Sequence, residues 1–432
     1  MESSTPEKEK TMKKLLVIAL SLLLVTGFVF ASGSSDTADS GKTVITWWSF
    51  PTFGNDGSTE ETLIEAFEAA NPDITVKLEM IDFTSGPNKI TAAIEGGSAP
   101  DILFDAPGRI IEYGKNGKLV ALDDLFTDEF IADVDSEGLI SACSDGTSYW
   151  MYPLSSSPFW MSINKEVWEA AGAWQYINTE GDRLWTTDNF IKAMEALGKA
   201  GYVGVNIYCG GQGGDQGTRA LVDNLYSAAI HNEDRTQWTA DKPEIKKALQ
   251  VLLDLYQAGA IDFGRGIAAA DEIQLYRLGQ IASSICWGTS NAKNNPTDQY
   301  TQYSIPFPSD DGVPALEYLV NGFCVFNNGD DAKAEAAKKF ITFICDDPEY
   351  GPYAVLQSAA FPVRTSFGNL YEGDAESELL ASWTKYYAPY YNTMDNFAQM
   401  RVQWWNMLQF ISTGDKTIDQ AVKDFDVNAN AN

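Results

Sequence analysis

The chain of 432 residues carries a single histidine, His231, against 60 aspartates and glutamates. A Ser-His-Asp or Cys-His catalytic pair would have to be built on that one imidazole, and its His-Asn-Glu-Asp-Arg setting reads as a surface loop. A zinc site would lack ligands for the same reason. No G-x-x-x-x-G-K-[ST] loop occurs. Gly210, Gly211, Gly213 and Gly214 follow Ile207-Tyr208 without phosphate-binding spacing, so this loop reads as a flexible or ligand-contacting connection that offers Gln212, Asp215 and Gln216 by position. A carboxylate pair could cleave a glycoside, but among so many acids two in a cleft would be undiagnostic. Binding without chemistry, and without a cofactor, is the reading these residue types favour. The aromatic residues fit it. Trp47 and Trp48 end an apolar run and enter a loop rich in Gly and Ser; sugars stack C–H faces on such rings while hydroxyls take Asp, Asn, Gln and Arg. Trp47 is expected to face the core, leaving Trp48 and Ser49 as ligand candidates. Trp287 ends a second apolar run in the same manner. Trp404 and Trp405 fall on a helix, and at least one of them is expected in the core.

The elements that must position these residues are legible locally. Thr43 to Trp48 is β-branched and aromatic and predicts a strand. Ser58 with Glu61 reads as a capping box, Leu63, Ile64 and Phe67 follow at helical spacing, and Asn71-Pro72 stops the helix. Ile74, Val76, Leu78 and Met80 alternate as a second strand. Strand, helix and strand in this span make a βαβ unit, at whose strand ends ligands collect. Ile102 to Phe104 predicts a short buried strand. Asn164 to Ala171, 188–200, 243–258 and 331–345 predict helices, Ile281 to Trp287 a strand, and the C-terminal stretch from Glu376 to about Asp424 further helix.

Composition bounds the class. Lys13 and Lys14, the apolar run Leu15 to Phe30 and the small residues of Val29-Phe30-Ala31 read as a signal peptide over 1–31; the run is short for a membrane span, an uncleaved anchor being the alternative. Met12 would serve as a better start than Met1. No cysteine precedes Cys143, so a lipidated cysteine behind the leader is not expected. Residues 32–42 read as a polar linker. The leader holds four lysines and three glutamates, so the remaining chain carries 26 basic and 57 acidic side chains, a balance that disfavours nucleic acid and anionic lipid. The 401 residues beyond the leader exceed what a single core supports, so two domains are the default. Five scattered cysteines without a C-x-x-C pair read mostly as buried small hydrophobes, with one disulfide left open.

Several weak motifs, taken in order, then resemble one family. VITWWSF with LIEAFEAANPDITV, GGSAPDILFDAPGRIIEYGKNGKLVALDDLF, GTSYWMYPLSSSPFWMSINKEVWEAAG, LGQIASSICWG, NGFCVFNNGDDAKAEAAKKFITFICDDPE, FPVRTS and STGDKTIDQAVKDF are similar to successive segments of the extracellular solute-binding proteins of sugar ABC transporters, the maltose-binding-protein-like group. The resemblance implies a two-lobed α/β fold of the type II periplasmic-binding-protein class. Its N-terminal lobe would span 43–154 and 321–360 and its C-terminal lobe 159–314 and 365–432, with a hinge near 155–158, 315–320 and 361–364. It further implies a carbohydrate clamped by hinge closure, delivery to a membrane permease, a periplasmic monomer not embedded in the membrane once the leader is removed, and no catalysis. By position it puts Asp105 and Arg109 on ligand contacts, Ser157 at the first crossing, and Arg401 near a stacking tryptophan for which Trp404 or Trp405 would substitute. Maltose-binding protein carries an aromatic residue at the position of Asp105, which points to a different sugar or pose. Asp105 and Arg109 can equally form a surface ion pair. An exported carbohydrate-active enzyme using a carboxylate pair, or the same scaffold holding a polyol or peptide, are the alternatives.

Overall fold

The computed structural model describes residues 41–54, 56–82, 85–134, 136–211 and 215–431; the expected leader, nearly all of the linker and Gln212 lie outside them. Strand β1 (Thr43–Ser49) is hydrogen-bonded on both edges, parallel to β2 (Ile74–Met80) and to β3 (Ile102–Asp105). A parallel strand inside a sheet is covered on both faces, and β1 has the composition for it. Trp47 is fully buried, its ring 5.4 Å from Phe340 and 5.8 Å from Phe323. Helix α1 (Ser58–Ala70) buries Leu63, Ile64 and Phe67, as the spacing predicts. Its start is different from the expected capping box. Gly57 precedes it at φ 75 and has no side chain to cap with, while the Asp56 carboxylate accepts from the Ser58 amide at 3.2 Å. The Ser58 hydroxyl instead donates to Asp56, 2.8 Å away. Glycine takes that left-handed turn without a Cβ clash.

Helices α2 (Gly86–Glu95) and α3 (Pro107–Lys115) flank β3 in sequence. The proline at the first turn of α3 has no N–H to lose there, so the strand-to-helix turn at Asp105 is sharp and well defined. The chain then forms β4 (Tyr152–Pro158) and, after one residue, β5 (Trp160–Asn164). Four amphipathic helices come next: α4 (Thr187–Lys199), α5 (Gln216–Leu225), α6 (Pro243–Gln257) and α7 (Ala269–Arg277). They lead into β6 (Ser283–Trp287) and β7 (Gln302–Ile305). The return runs through β8 (Tyr318–Val325), α8 (Asp331–Asp346) and the short β9 (Phe361–Pro362). The expected C-terminal helical stretch is broken, its two longest pieces being α9 (Phe397–Thr413) and α10 (Ile418–Ala429).

Among the described residues these strands make two sheets. The first has the order β2-β1-β3-β8-β4-β9 and the second β6-β5-β7. Each has its own hydrophobic core, the first around Trp47, Phe67 and Phe340, the second around Trp160, Trp168 and Trp404. The chain passes between the sheets at β4–β5, again between β7 and β8, and a third time after β9. Strands β4 and β8 pair antiparallel through Pro158 and Tyr318, and the Phe159 amide donates to the Glu317 carbonyl at 2.8 Å. Two of the three passages therefore run side by side, joined by backbone hydrogen bonds. All five cysteines are buried and free, which leaves no disulfide and fits their reading as small hydrophobes.

Candidate functional site

The end of β3 and the start of α3 bring Asp105 and Arg109 together. Arg109 donates through Nε and Nη2 to the two Asp105 oxygens, both at 2.6 Å. This bidentate fork is the strong geometry for a guanidinium and a carboxylate. Asp105 is nearly buried and its side chain also accepts from the Ala106 amide. The Arg109 side chain remains 39% exposed, with its guanidinium 5.3 Å from the Phe50 ring centre. Burial works against the Arg109 cation, but Asp105 outweighs it and raises the Arg109 pKa. A half-exposed, permanently charged donor at the carboxyl end of a parallel strand is thus available to a ligand.

Opposite α3 stands the segment that opens α9. A methyl group at Gly108 would lie 3.4 Å from the Phe397 ring and 3.5 Å from the Asn392 carbonyl. Lys115, at the end of α3, donates to Asp395 at 2.6 Å. Phe397 packs against the second core and Ile110 of α3 belongs to the first, so the two cores face each other here. Arg401, one turn into α9, donates from Nε and Nη2 to one Asp215 oxygen at 2.7 and 2.6 Å. Asp215 is also paired with the fully buried Arg219. Burial disfavours the Asp215 anion, yet the two guanidiniums prevail and hold it below the usual carboxylate range. Next to it, Gln216 has a buried Oε1 without a hydrogen-bond partner among the described residues. Ser157, in β4, shares a 2.8 Å hydrogen bond with Thr289 just past β6.

Several predicted contacts lie inside the protein instead. Ser49 is completely buried and its hydroxyl is taken up by Glu60 and the Phe50 carbonyl, at 2.9 and 3.1 Å. Trp287 packs edge-on against Tyr276 at 5.1 Å and is 1% exposed. Trp404 is fully buried, donates to Thr218 at 2.8 Å and meets Phe425 at 6.0 Å. Trp48 is 9% exposed, and the Lys89 ammonium lies 4.6 Å from its ring centre. In each case the strand or helix face that carries the side chain is the one turned to a core. Trp405, one position on from Trp404, is only half buried and packs at the margin of the second core. His231 also departs from its expected place. It is 7% exposed in a two-stranded bridge with Trp238, 5.2 Å from Tyr391, and burial lowers its pKa.

Three residues of this region carry no mark in a motif: Arg219, Glu317 and Tyr391. The i,i+4 spacing of Asp215 and Arg219 was the available signal for the first. Elsewhere, a recess of about 540 Å³ opens beside the third passage, lined among others by Ser156, Phe361, Arg364, Asn369 and Tyr371. None of the predicted contacts among the described residues lines it.

The combination of two α/β lobes, each discontinuous in sequence, with three passages between them is that of the two-lobed periplasmic binding proteins. Residues 62–388 match the family model of the bacterial extracellular solute-binding proteins, and the chain belongs to that family. Its overall structure is similar to the cyclic alpha-maltosyl-1,6-maltose binding protein of Arthrobacter globiformis, with a TM-score of 0.72 and 20% identity over 90% of this chain and 98% of that one. It is also similar to an ABC substrate-binding protein of Listeria monocytogenes in complex with cycloalternan, with a TM-score of 0.68, 20% identity and coverage of 90% and 98%. A Thermotoga lettingae ABC transporter solute-binding protein bound with alpha-D-tagatose aligns with a TM-score of 0.72 and 17% identity over 90% and 99%. Curated relatives from Brucella abortus and Brucella suis, whose names go no further than binding protein, are 28% identical over 138 residues, 32% of this chain. The match spans about a third of the length of those relatives.

Proposed function

We propose that this chain is the solute receptor of an ABC importer and that it holds a mono- or oligosaccharide between its lobes. The observation that carries the reading is the pair of partly exposed guanidiniums, Arg109 and Arg401, 39% and 23% exposed, set on the two facing lobes and each neutralised by an aspartate. Neutralised guanidiniums donate to hydroxyls without demanding an anion, and Trp405 and Phe397 beside them offer faces for a pyranose ring. The structural relatives from Arthrobacter, Listeria and Thermotoga, whose ligands are sugars, support the same class. The site is built from Asp105, Arg109, Ser157, Gln216, Arg401 and Trp405, with Asp215 holding Arg401 from behind.

The lobes divide at 43–154 with 321–360 and at 159–314 with 365–432, and they close about 155–158, 315–320 and 361–364. Closure buries the hydrogen bonds to the sugar, and the closed form is what the membrane permease receives. The chain acts without catalysis, as a monomer in the periplasm after its leader is removed near Ala31. A thermal-shift screen against maltose, cyclic glucose tetrasaccharides, tagatose and polyols, with product analysis on each hit, tests this. A ligand at a hundred times its dissociation constant adds about 2.7 kcal/mol, well within reach of a melting curve. Stabilisation by a sugar that is recovered unchanged is the expected result. Turnover of the sugar would mean an enzyme, and stabilisation by non-sugars alone would overturn the substrate class.

A further inference from the structure

Arg219 is 0% exposed and has no place in the ligand contacts. Buried guanidiniums are retained only where every donor is matched, because an unpaired one costs several kcal/mol. Here the matching links distant parts of the chain. Nη1 pairs with Asp215 at the start of α5. Nη2 and Nε reach the two oxygens of Glu317 at 3.1 and 3.4 Å, and Nε also donates to the Tyr391 hydroxyl at 2.9 Å. Tyr391 in turn donates to Glu317. Glu317 lies on the second passage between the sheets, and its carbonyl holds the Phe159 amide of the first. At the other end, the Asp215 oxygen not facing Arg219 holds Arg401. Phe397 lies 5.6 Å from the Arg219 guanidinium and 5.7 Å from that of Arg401.

We propose that Arg219 is a positioning residue that locks the cleft side chain Arg401 and the second interlobe passage into one electrostatic unit, so that a change at Arg401 is felt at the hinge. This rests on the reading of the Arg401 region as the ligand cleft. The unit holds two guanidiniums against Asp215 and Glu317. A hydroxyl that engages Arg401 leaves its charge in place, whereas loss of that charge leaves Asp215 to draw on Arg219 alone. Arg219 is then pulled from Glu317, and the passage loses its tether. The chain of contacts is continuous, Arg401–Asp215–Arg219–Glu317, which is the physical condition for coupling between sites that do not touch. Lysine could not replace Arg219, since one ammonium cannot present a planar fork to two carboxylates.

Amide hydrogen exchange on the full, ligand-free chain tests the unit without reference to any sugar. In Arg401→Met, peptides covering 315–319 are expected to exchange about tenfold faster than in the parent chain, although Arg401 does not contact them. Arg401→Lys, which keeps a cation on Asp215, restores most of the protection. Arg219→Lys speeds exchange at both 315–319 and 392–401; should that variant fail to fold, the two Arg401 variants carry the test alone. Unchanged exchange at 315–319 in Arg401→Met overturns the proposal. So does equal acceleration in Arg401→Lys, or acceleration spread evenly over the chain, which would mark a general loss of stability. Absence of maltose binding bears on the sugar reading only, because the ligand-free comparison stands by itself.

Discussion

Replacing Glu272 by glutamine should stabilise this protein, and increasingly so as the pH rises. Glu272 lies on α7, is 0% exposed, and accepts from the Ser284 hydroxyl at 2.7 Å and the Ile285 amide at 2.8 Å. Those bonds favour the anion, but burial outweighs them and pushes its pKa up to about 8 from an ordinary 4.5. Below pH 4.5 the carboxyl is protonated in both the folded and unfolded chains and costs nothing. Between 4.5 and 8 the unfolded chain releases the proton and the folded chain keeps it, so stability falls by about 1.4 kcal/mol per pH unit. At pH 7 the deficit is about 3 kcal/mol, and above pH 8 it levels near 5 kcal/mol, both being upper values from the same conversion. Glutamine has the same shape, still accepts from the Ile285 amide and does not titrate. Urea unfolding of both chains at pH 4.5, 7 and 8.5 would show nearly equal stability at the lowest pH and a gap that opens with pH, at constant m. A gap that does not change with pH would refute the reasoning, because it would mean that Glu272 ionises as freely folded as unfolded. The residue matters to the site through β6, which carries Thr289 to Ser157.

The same geometry sets four other outcomes. Trp404→Ala should cost about 3–5 kcal/mol of unfolding free energy, as full-size aromatic deletions in cores do, whereas Trp405→Ala should cost about 1 kcal/mol and remove the sugar-induced thermal shift; denaturation curves with and without sugar separate the two. Trp48→Ala should lower the unliganded melt strongly, by about 3 kcal/mol in free energy, because the ring is 9% exposed; an unchanged melt would put Trp48 in the cleft. Gly217→Ala drives a methyl into the Ile285 carbonyl oxygen, and overpacking of backbone against backbone should cost about 3 kcal/mol or more, seen as a lowered urea midpoint. A thiol reagent should leave all five cysteines untouched in the native chain and label all five in denaturant, since each is buried and burial pushes the thiols of Cys143, Cys209 and Cys286 well up.

The opening βαβ unit was legible because strand and helix periodicities are local. Alternation along 74–80 and the spacing of Leu63, Ile64 and Phe67 state which face is apolar, and the sheet accepted both. Helix ends were less secure. Ser58 and Glu61 had the spacing of a capping box, but Gly57 offered a left-handed turn and Asp56 a nearer partner for the hydroxyl. The site divides along the same line. Asp105 and Arg109, four residues apart on one turn, could be paired from the sequence. The pairing of Asp215 with Arg401 spans 186 residues and has no local signature.

By itself, the sequence determined what each segment prefers: β-branched runs for strands, amphipathic spacing for helices, and a chain so poor in histidine that binding without catalysis was its natural reading. Tertiary structure alone decided which of two adjacent tryptophans is hidden. Trp404 and Trp405 are equally apolar and equally helical, and only the placement of α5 and α10 around α9 sends one inward and leaves the other half exposed. The same is true of Arg219, whose charge is tolerable in the interior only because Asp215, Glu317 and Tyr391 converge on it from three separate stretches of chain. Burial is a property of what surrounds a side chain, and those surroundings come from residues far away in sequence.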